Sequence, residues 1–204
     1  MTDKPATGPI LFYFDFASPY AYFALEEIER IAAAHGRRIE WRPVLVWAIL
    51  KAQSISPPME SPARRSYIVG DMARSAAFHG LPYKHPSKLP LSAHRALRLY
   101  YEIAEKDIDL AHRFGREVFA AFFTRDEDIS AEQTVVTIAA RVGIDEAQAI
   151  AGMSSESAKA KLAAMVDEAV AAGVVGSPFV VVDGEGFFGA DRLPQIEWRL
   201  SGGA

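Results

Sequence analysis

The stretch Ile10-Leu11-Phe12-Tyr13-Phe14-Asp15-Phe16-Ala17-Ser18-Pro19-Tyr20-Ala21-Tyr22 decides the fold. Its apolar and aromatic run, Ile10 to Phe16, predicts a buried strand that stops at Ala17-Ser18-Pro19. Serine followed by proline is a strong helix start: the hydroxyl caps a free N–H, and proline needs no N–H at the first helical position. Beyond it, Ala21, Ala24, Leu25, Ile28, Ile31, Ala32 and His35 fall on one helical face, with Gly36 just past its end. Ile39 and Trp41 then alternate with Glu40 and Arg42, which predicts a second strand over 39–45 with Pro43 at its margin.

Further along the character changes. Pro57, Pro58 and Pro62 among serines predict a loop, and from about 62 to 172 only helical periodicity is found. Phe114/Val118/Ala121/Phe122, Val135/Ile138/Ala139/Val142 and Leu162/Met165/Val166/Ala169/Val170 are examples, and Gly143 and Gly173 stand where helices should end. Strands return at 179–183 and 187–188, and a last helix starts near Asp191, its expected N-cap. The order is β-α-β, a helical block, then β-β-α. A doubly wound sheet would alternate throughout. This chain instead has the layout of a thioredoxin-like α/β fold carrying a large all-helical insertion, with residues 1–50 and 171–204 forming the thioredoxin-like domain and 51–170 the insertion.

Composition narrows the chemistry. The 204 residues are 50% hydrophobic and 24% charged, with a net charge of −4 and no cysteine. Such a chain can bury a sizeable core. It lacks the basic block that nucleic acid or an anionic membrane surface would require. Its longest apolar run, Val44 to Leu50, is far below the roughly 20 residues of a membrane span. The start of the chain has no hydrophobic signal core, so a cytoplasmic location is expected. Without cysteine there is no disulfide framework, thiolate metal site or dithiol redox chemistry.

Three places remain for chemistry. Ser18-Pro19 sits where redox proteins of this layout carry a reactive cysteine, and offers a hydroxyl at a helix N-terminus, a setting that favours an anion. Serine here has no neighbouring base and no Gly-x-Ser-x-Gly elbow, so it is better suited to donate a hydrogen bond to a thiolate brought by a ligand than to act as the nucleophile itself. A free thiol with a pKa near 8.5 is only slightly ionised at neutral pH, and lowering it by about two units takes roughly 2.7 kcal/mol. A charge-assisted hydrogen bond and a helix terminus together supply that order of energy. Ser177-Pro178 precedes the third strand, where this fold carries a cis-proline beside the first helix. Gly189-Ala190-Asp191-Arg192 offers a carboxylate at another helix start. Gly184-Glu185-Gly186-Phe187-Phe188-Gly189 imitates a dinucleotide loop, but it lies in a terminal hairpin with too few residues after it for a unit of about 30. The five histidines show no metal-ligand spacing.

Phe12 to Tyr22 closely resembles the opening of 2-hydroxychromene-2-carboxylate isomerases and kappa-class glutathione transferases, both in the DsbA-like branch of the thioredoxin superfamily. The resemblance continues through Trp41-Arg42-Pro43, Arg64 to Tyr67, Gly80-Leu81-Pro82, Asp128-Ile129-Ser130, Gly176-Ser177-Pro178 and Phe188 to Leu193. It implies that Ser18 contacts the sulfur of glutathione and that Ser177, ahead of Pro178, pairs with its cysteinyl backbone. By the same resemblance Ala190 and Asp191 hold the γ-glutamyl group and Arg64 the glycyl end. Relatives place an asparagine in the linking loop; this chain has none, and offers Gln53, Ser54 or Ser56 there. Tyr20 and Trp47 are expected in the pocket of a small aromatic substrate, and a homodimer is implied. The implied reaction is cis-trans isomerisation through reversible thiol addition. A kappa-type conjugating transferase and a ligand-binding protein without catalysis are the alternatives.

Overall fold

The computed structural model describes residues 8–203. Strand β1 (Ile10–Phe14) is buried along nearly its whole length because it is covered on both faces and paired on both edges. It runs parallel to β2 (Ile39–Pro43), with Phe12 opposite Trp41, and antiparallel to β3 (Phe179–Val182), with Phe12 opposite Val180. β4 (Glu185–Phe188) completes a 4-stranded sheet of order β2-β1-β3-β4. Asp183 and Gly184 make the β3–β4 turn, both with positive φ, as the tight two-residue hairpin requires. This is the thioredoxin-like sheet.

Helix α1 (Pro19–Ala34) starts as its sequence dictates. Ser18 is the N-cap and its hydroxyl accepts from the Ala21 N–H. Ala21, Ala24, Leu25, Ile28, Ile31 and Ala32 are buried, and Gly36, at φ 62°, lets the chain turn away. The helices between β2 and β3 follow as α2 (Val46–Ala52), α3 (Pro62–Phe78), α4 (His94–Ala104), α5 (Ile108–Arg125), α6 (Glu132–Arg141), α7 (Glu146–Ser154) and α8 (Glu156–Ala171). Side chains cap several of them: Asp107 for α5, Asp145 for α7 and Ser155 for α8. Gly143 and Gly173, both with positive φ, follow α6 and α8. A short 3-10 turn (Ala190–Arg192) and α9 (Leu193–Leu200) close the chain.

One hydrophobic cluster runs from the sheet into the helical block. Its centre is aromatic. Phe14 touches Phe12, Phe16, Trp41 and Phe119, and Trp41 stacks on Tyr100 and His112. Gly115 of α5 is the position that allows this approach, since a Cβ there would lie 2.8 Å from Cζ3 of Trp41. Helix α8, on the insertion side of the sequence division, lies against β2 and α2, and its Glu168 receives Tyr13 and Arg42. Among the described residues no helix is long and apolar enough to cross a membrane.

Two elements differ from expectation. The apolar run at 44–50 ends β2 at Pro43 and becomes helix α2. Asp191 does not cap the last helix: Gly189 and Arg192 occupy the N-cap positions there, with no side-chain cap at either.

Candidate active site

The start of α1 and the loop before β3 meet at one corner of the sheet. The Ser18 hydroxyl donates to the Ser177 carbonyl at 2.9 Å, and the Ser177 hydroxyl accepts from the Asp15 N–H at 2.9 Å. The Ser177-Pro178 peptide is cis. Pro19 has no N–H and the Ala21 N–H is taken by Ser18, so the first turn of α1 keeps one free donor, the Tyr20 N–H, which has no acceptor among the described residues.

Asp15 lies beneath this corner and is buried. Its two carboxylate oxygens accept from Ala17 N–H at 2.9 Å and Val46 N–H at 3.0 Å. Burial pushes its pKa up to about 6 against the pull of those two backbone donors. It thereby ties the loop before α1 to the first turn of α2, whose Trp47 and Leu50 face the same hollow.

That hollow is a cavity of about 350 Å³, within the range of small-ligand sites. Ser18, Tyr20 and Ser177 line it, together with Trp47, Leu50, Ile55, Ser56 and Met59 and with Leu89, Pro90 and Leu91. Helix α3 adds Arg64, Ile68 and Met72, spaced by four so that they share one helical face. Among the described residues Arg64 is the one charged side chain of the lining, and no carboxylate lines it. The cavity therefore suits a molecule with an apolar body and at least one negative group. No histidine lines the cavity among the described residues.

The expected site residues separate into two groups. Ser18, Tyr20, Trp47, Arg64 and Ser177 all line the cavity. Pro178, Ala190 and Asp191 do not. They lie beside it, where the Gly189 N–H donates to the Pro178 carbonyl at 3.0 Å. The Asp191 carboxylate is 71% exposed and pairs with Arg192 at 2.9 Å. In the linking loop the Gln53 amide donates to the Val174 carbonyl, so Ser56 is the polar side chain left facing the cavity. The Tyr20 hydroxyl donates to Asp71 at 2.6 Å.

Sequence reasoning missed Asp15, Asp71 and the wall formed by Ile68, Met72 and Leu89 to Leu91. A signal existed for Asp15, an acid inside an otherwise apolar strand, which nature rarely buries without a purpose. None existed for the wall, which comes from residues of ordinary helical and loop composition.

A family model for the DSBA-like thioredoxin domain matches residues 9–201. The chain belongs to the DsbA-like thioredoxin family. Among the relatives of this DsbA-like protein, glutathione S-transferase kappa 1 of Caenorhabditis elegans is 28% identical over 94% of this chain and 90% of its own. A 2-hydroxychromene-2-carboxylate isomerase of Sphingobium xenophagum is 27% identical over 95% of this chain and 98% of its own. A solved 2-hydroxychromene-2-carboxylate isomerase superposes with a TM-score of 0.83 at 22% identity, over 94% of both chains. That last likeness establishes the shared fold, and the relatives are enzymes of two kinds. Dithiol exchange is outside this member's chemistry, because it has no cysteine.

Proposed function

We propose that this DsbA-like protein is a glutathione-dependent isomerase of small aromatic compounds, of the 2-hydroxychromene-2-carboxylate isomerase type. One observation carries the reading: an apolar cavity of about 350 Å³ opens beside a serine-capped helix start and, among the described residues, is lined by a single cation and no acid. A protein without cysteine that builds an anion-favouring corner borrows its thiol. The donor set fits glutathione, a thiol flanked by peptide groups and ending in carboxylates.

Bound glutathione supplies a thiol that adds reversibly to the conjugated double bond of the substrate, and the resulting single bond turns before the thiol leaves. The chain's own residues prepare this. The Ser18 hydroxyl and the Tyr20 N–H stabilise negative charge at the sulfur. The Ser177 backbone accepts the cysteinyl N–H, and Arg64 receives the glycyl carboxylate. Asp191 takes the γ-glutamyl ammonium by exchanging its Arg192 partner, with the Ala190 backbone alongside. Trp47 and the Leu89–Leu91 wall shape the aromatic pocket and keep water out. Residues 51–170 act as an insertion that roofs a thioredoxin-like floor, and the protein works as a cytoplasmic homodimer.

Calorimetric titration of glutathione, with thiolate absorbance followed near 240 nm, tests the reading. Binding with extra thiolate at neutral pH, followed by isomerisation of a benzylidenepyruvate, is the expected result. Absence of binding at millimolar glutathione sinks it. The kappa-type transferase reading draws on the identity to the C. elegans enzyme, which equals that to the isomerase within one point. Conjugation of 1-chloro-2,4-dinitrobenzene without isomerisation is the outcome that favours it.

A further inference from the structure

Helix α3 forms a wall of the cavity yet is weakly built into the molecule. Of its residues only Met72 and Ala76 are buried, and α1 is the element it packs on. Its first turns, Pro62 to Tyr67, are exposed throughout. The far end is held better, because His79 stacks on Phe23 and the Tyr22 hydroxyl holds the Pro82 carbonyl in the following loop. Gly70 stands mid-helix with nothing within 4 Å of where a Cβ would be, so packing does not require it, and glycine loosens a helix interior.

Directly after Gly70 comes Asp71. Its Oδ2 accepts the Tyr20 hydroxyl at 2.6 Å and the Ser75 hydroxyl at 3.4 Å, and its Oδ1 pairs with Arg74 at 2.7 Å. Arg64, Ile68, Asp71 and Met72 lie on one helical stripe, so a fixed Asp71 also fixes the rotation that presents Arg64 and Ile68 to the cavity. Tyr20 stands two residues after Ser18, on the same first turn that forms the reaction corner.

We infer that Asp71 is a positioning residue: by accepting the Tyr20 hydroxyl it locks α3 against the start of α1 and sets Arg64 and Ile68 over the ligand. Tyr20 is then a strut between the corner and the wall, and its hydroxyl is committed to Asp71 instead of to substrate. The value of this lock for glutathione binding rests on the function proposed above; the lock itself does not.

The experiment compares Tyr20→Phe, Asp71→Ala and Asp71→Asn with the parent by hydrogen exchange and by glutathione calorimetry. Tyr20→Phe keeps the ring that packs edge-on to Phe23, so the fold survives it. In Tyr20→Phe and Asp71→Ala, amides of residues 65–69 exchange about tenfold faster while those of α4 and α5 are unchanged, as loss of a hydrogen bond to a charged group implies. Glutathione affinity falls by about the same factor, and in Asp71→Ala, whose side chain does not line the cavity, kcat changes little once the site is saturated. Asp71→Asn, which keeps one acceptor oxygen, restores most of the protection. Unchanged exchange at 65–69 in Tyr20→Phe overturns the inference, as does equal acceleration across α3, α4 and α5. Faster exchange at 65–69 in a protein that never binds glutathione upholds the lock and defeats only the proposed function.

Discussion

The Ser18 hydroxyl and the Ser177 carbonyl are bonded to each other, 2.9 Å apart, across the seam between the start of α1 and the loop before β3. A serine has one proton to give. While Ser177 receives it, Ser18 has none for a sulfur. A ligand whose own N–H satisfies the Ser177 carbonyl frees the Ser18 hydroxyl to turn toward the thiolate.

A peptide-flanked thiol should therefore be acidified more than a simple one. Glutathione bound to the protein is expected to show a thiol pKa lower by one to two units than 2-mercaptoethanol at saturation, roughly 1.4–2.7 kcal/mol. Absorbance near 240 nm across a pH series measures both. Ser18→Ala should erase the difference, and loss of the N-cap should also cost about 1 kcal/mol of stability in urea unfolding. Equal acidification of the two thiols would sink the exchange.

Asp15 gives a pH dependence with a definite sign. Its carboxyl, raised to about 6 by burial, keeps a proton in the folded chain that the unfolded chain releases near pH 4. Its contribution is thus greatest at the acid side of that window and declines as pH rises through 6, by on the order of 3 kcal/mol. Burial pushes His94 and His112 down, and they slope the opposite way. The parent must therefore be compared with Asp15→Asn, whose amide does not titrate. Unfolding free energies at several pH values should converge or cross between pH 4 and 7. A difference independent of pH would show that Asp15 is ionised throughout.

Arg64 is exposed at the cavity rim and has no acidic partner among the described residues. Arg64→Met should weaken glutathione about tenfold at low salt. The loss should shrink as ionic strength rises, because an exposed charge is screened over a distance of about 10 Å at 0.1 M. Calorimetry at two salt concentrations checks it. A loss that does not respond to salt would assign Arg64 a packing role.

Gly115→Ala places a methyl 2.8 Å from the Trp41 ring and 3.3 Å from Phe16, both held in the aromatic core. Overpacking of that kind should cost about 1–3 kcal/mol, measurable by thermal or denaturant unfolding. Gly80→Ala meets no neighbour but has a positive φ of 67°, so its cost should be backbone strain alone, on the order of 1 kcal/mol.

Local signals made the frame legible: the Ile10–Phe14 run, the Ser18-Pro19 start, and the helical spacing that fills 62–172. Helix α2 was hidden for a physical reason. Its N-cap, Leu45, carries no capping group, and the acceptor for the Val46 N–H is Asp15, 31 residues earlier. A window of sequence around Val46 contains no trace of that bond. Ser18, Arg64, Trp47 and Ser177 could be brought together from the family resemblance. The use of Tyr20 could not, because its partner Asp71 stands 51 residues away on a helix whose orientation only the fold defines. The Asp191 cap failed because the chain enters its last helix through a 3-10 turn, with Gly189 at φ 106° turning the backbone instead.

The cavity draws its lining from two different parts of the chain. Ser18 and Ser177, which would set the acidity of a thiol, belong to segments flanking the sheet, whereas Ile68, Met72, Leu89 and Leu91 come from the helices and loops between β2 and β3. Substitutions at those four aliphatic positions can change which molecule fits without touching the Ser18–Ser177 hydrogen bond. Under the proposed function such a protein is open to stepwise retooling: new substrates can be acquired by recarving an aliphatic surface while the thiol chemistry is inherited intact.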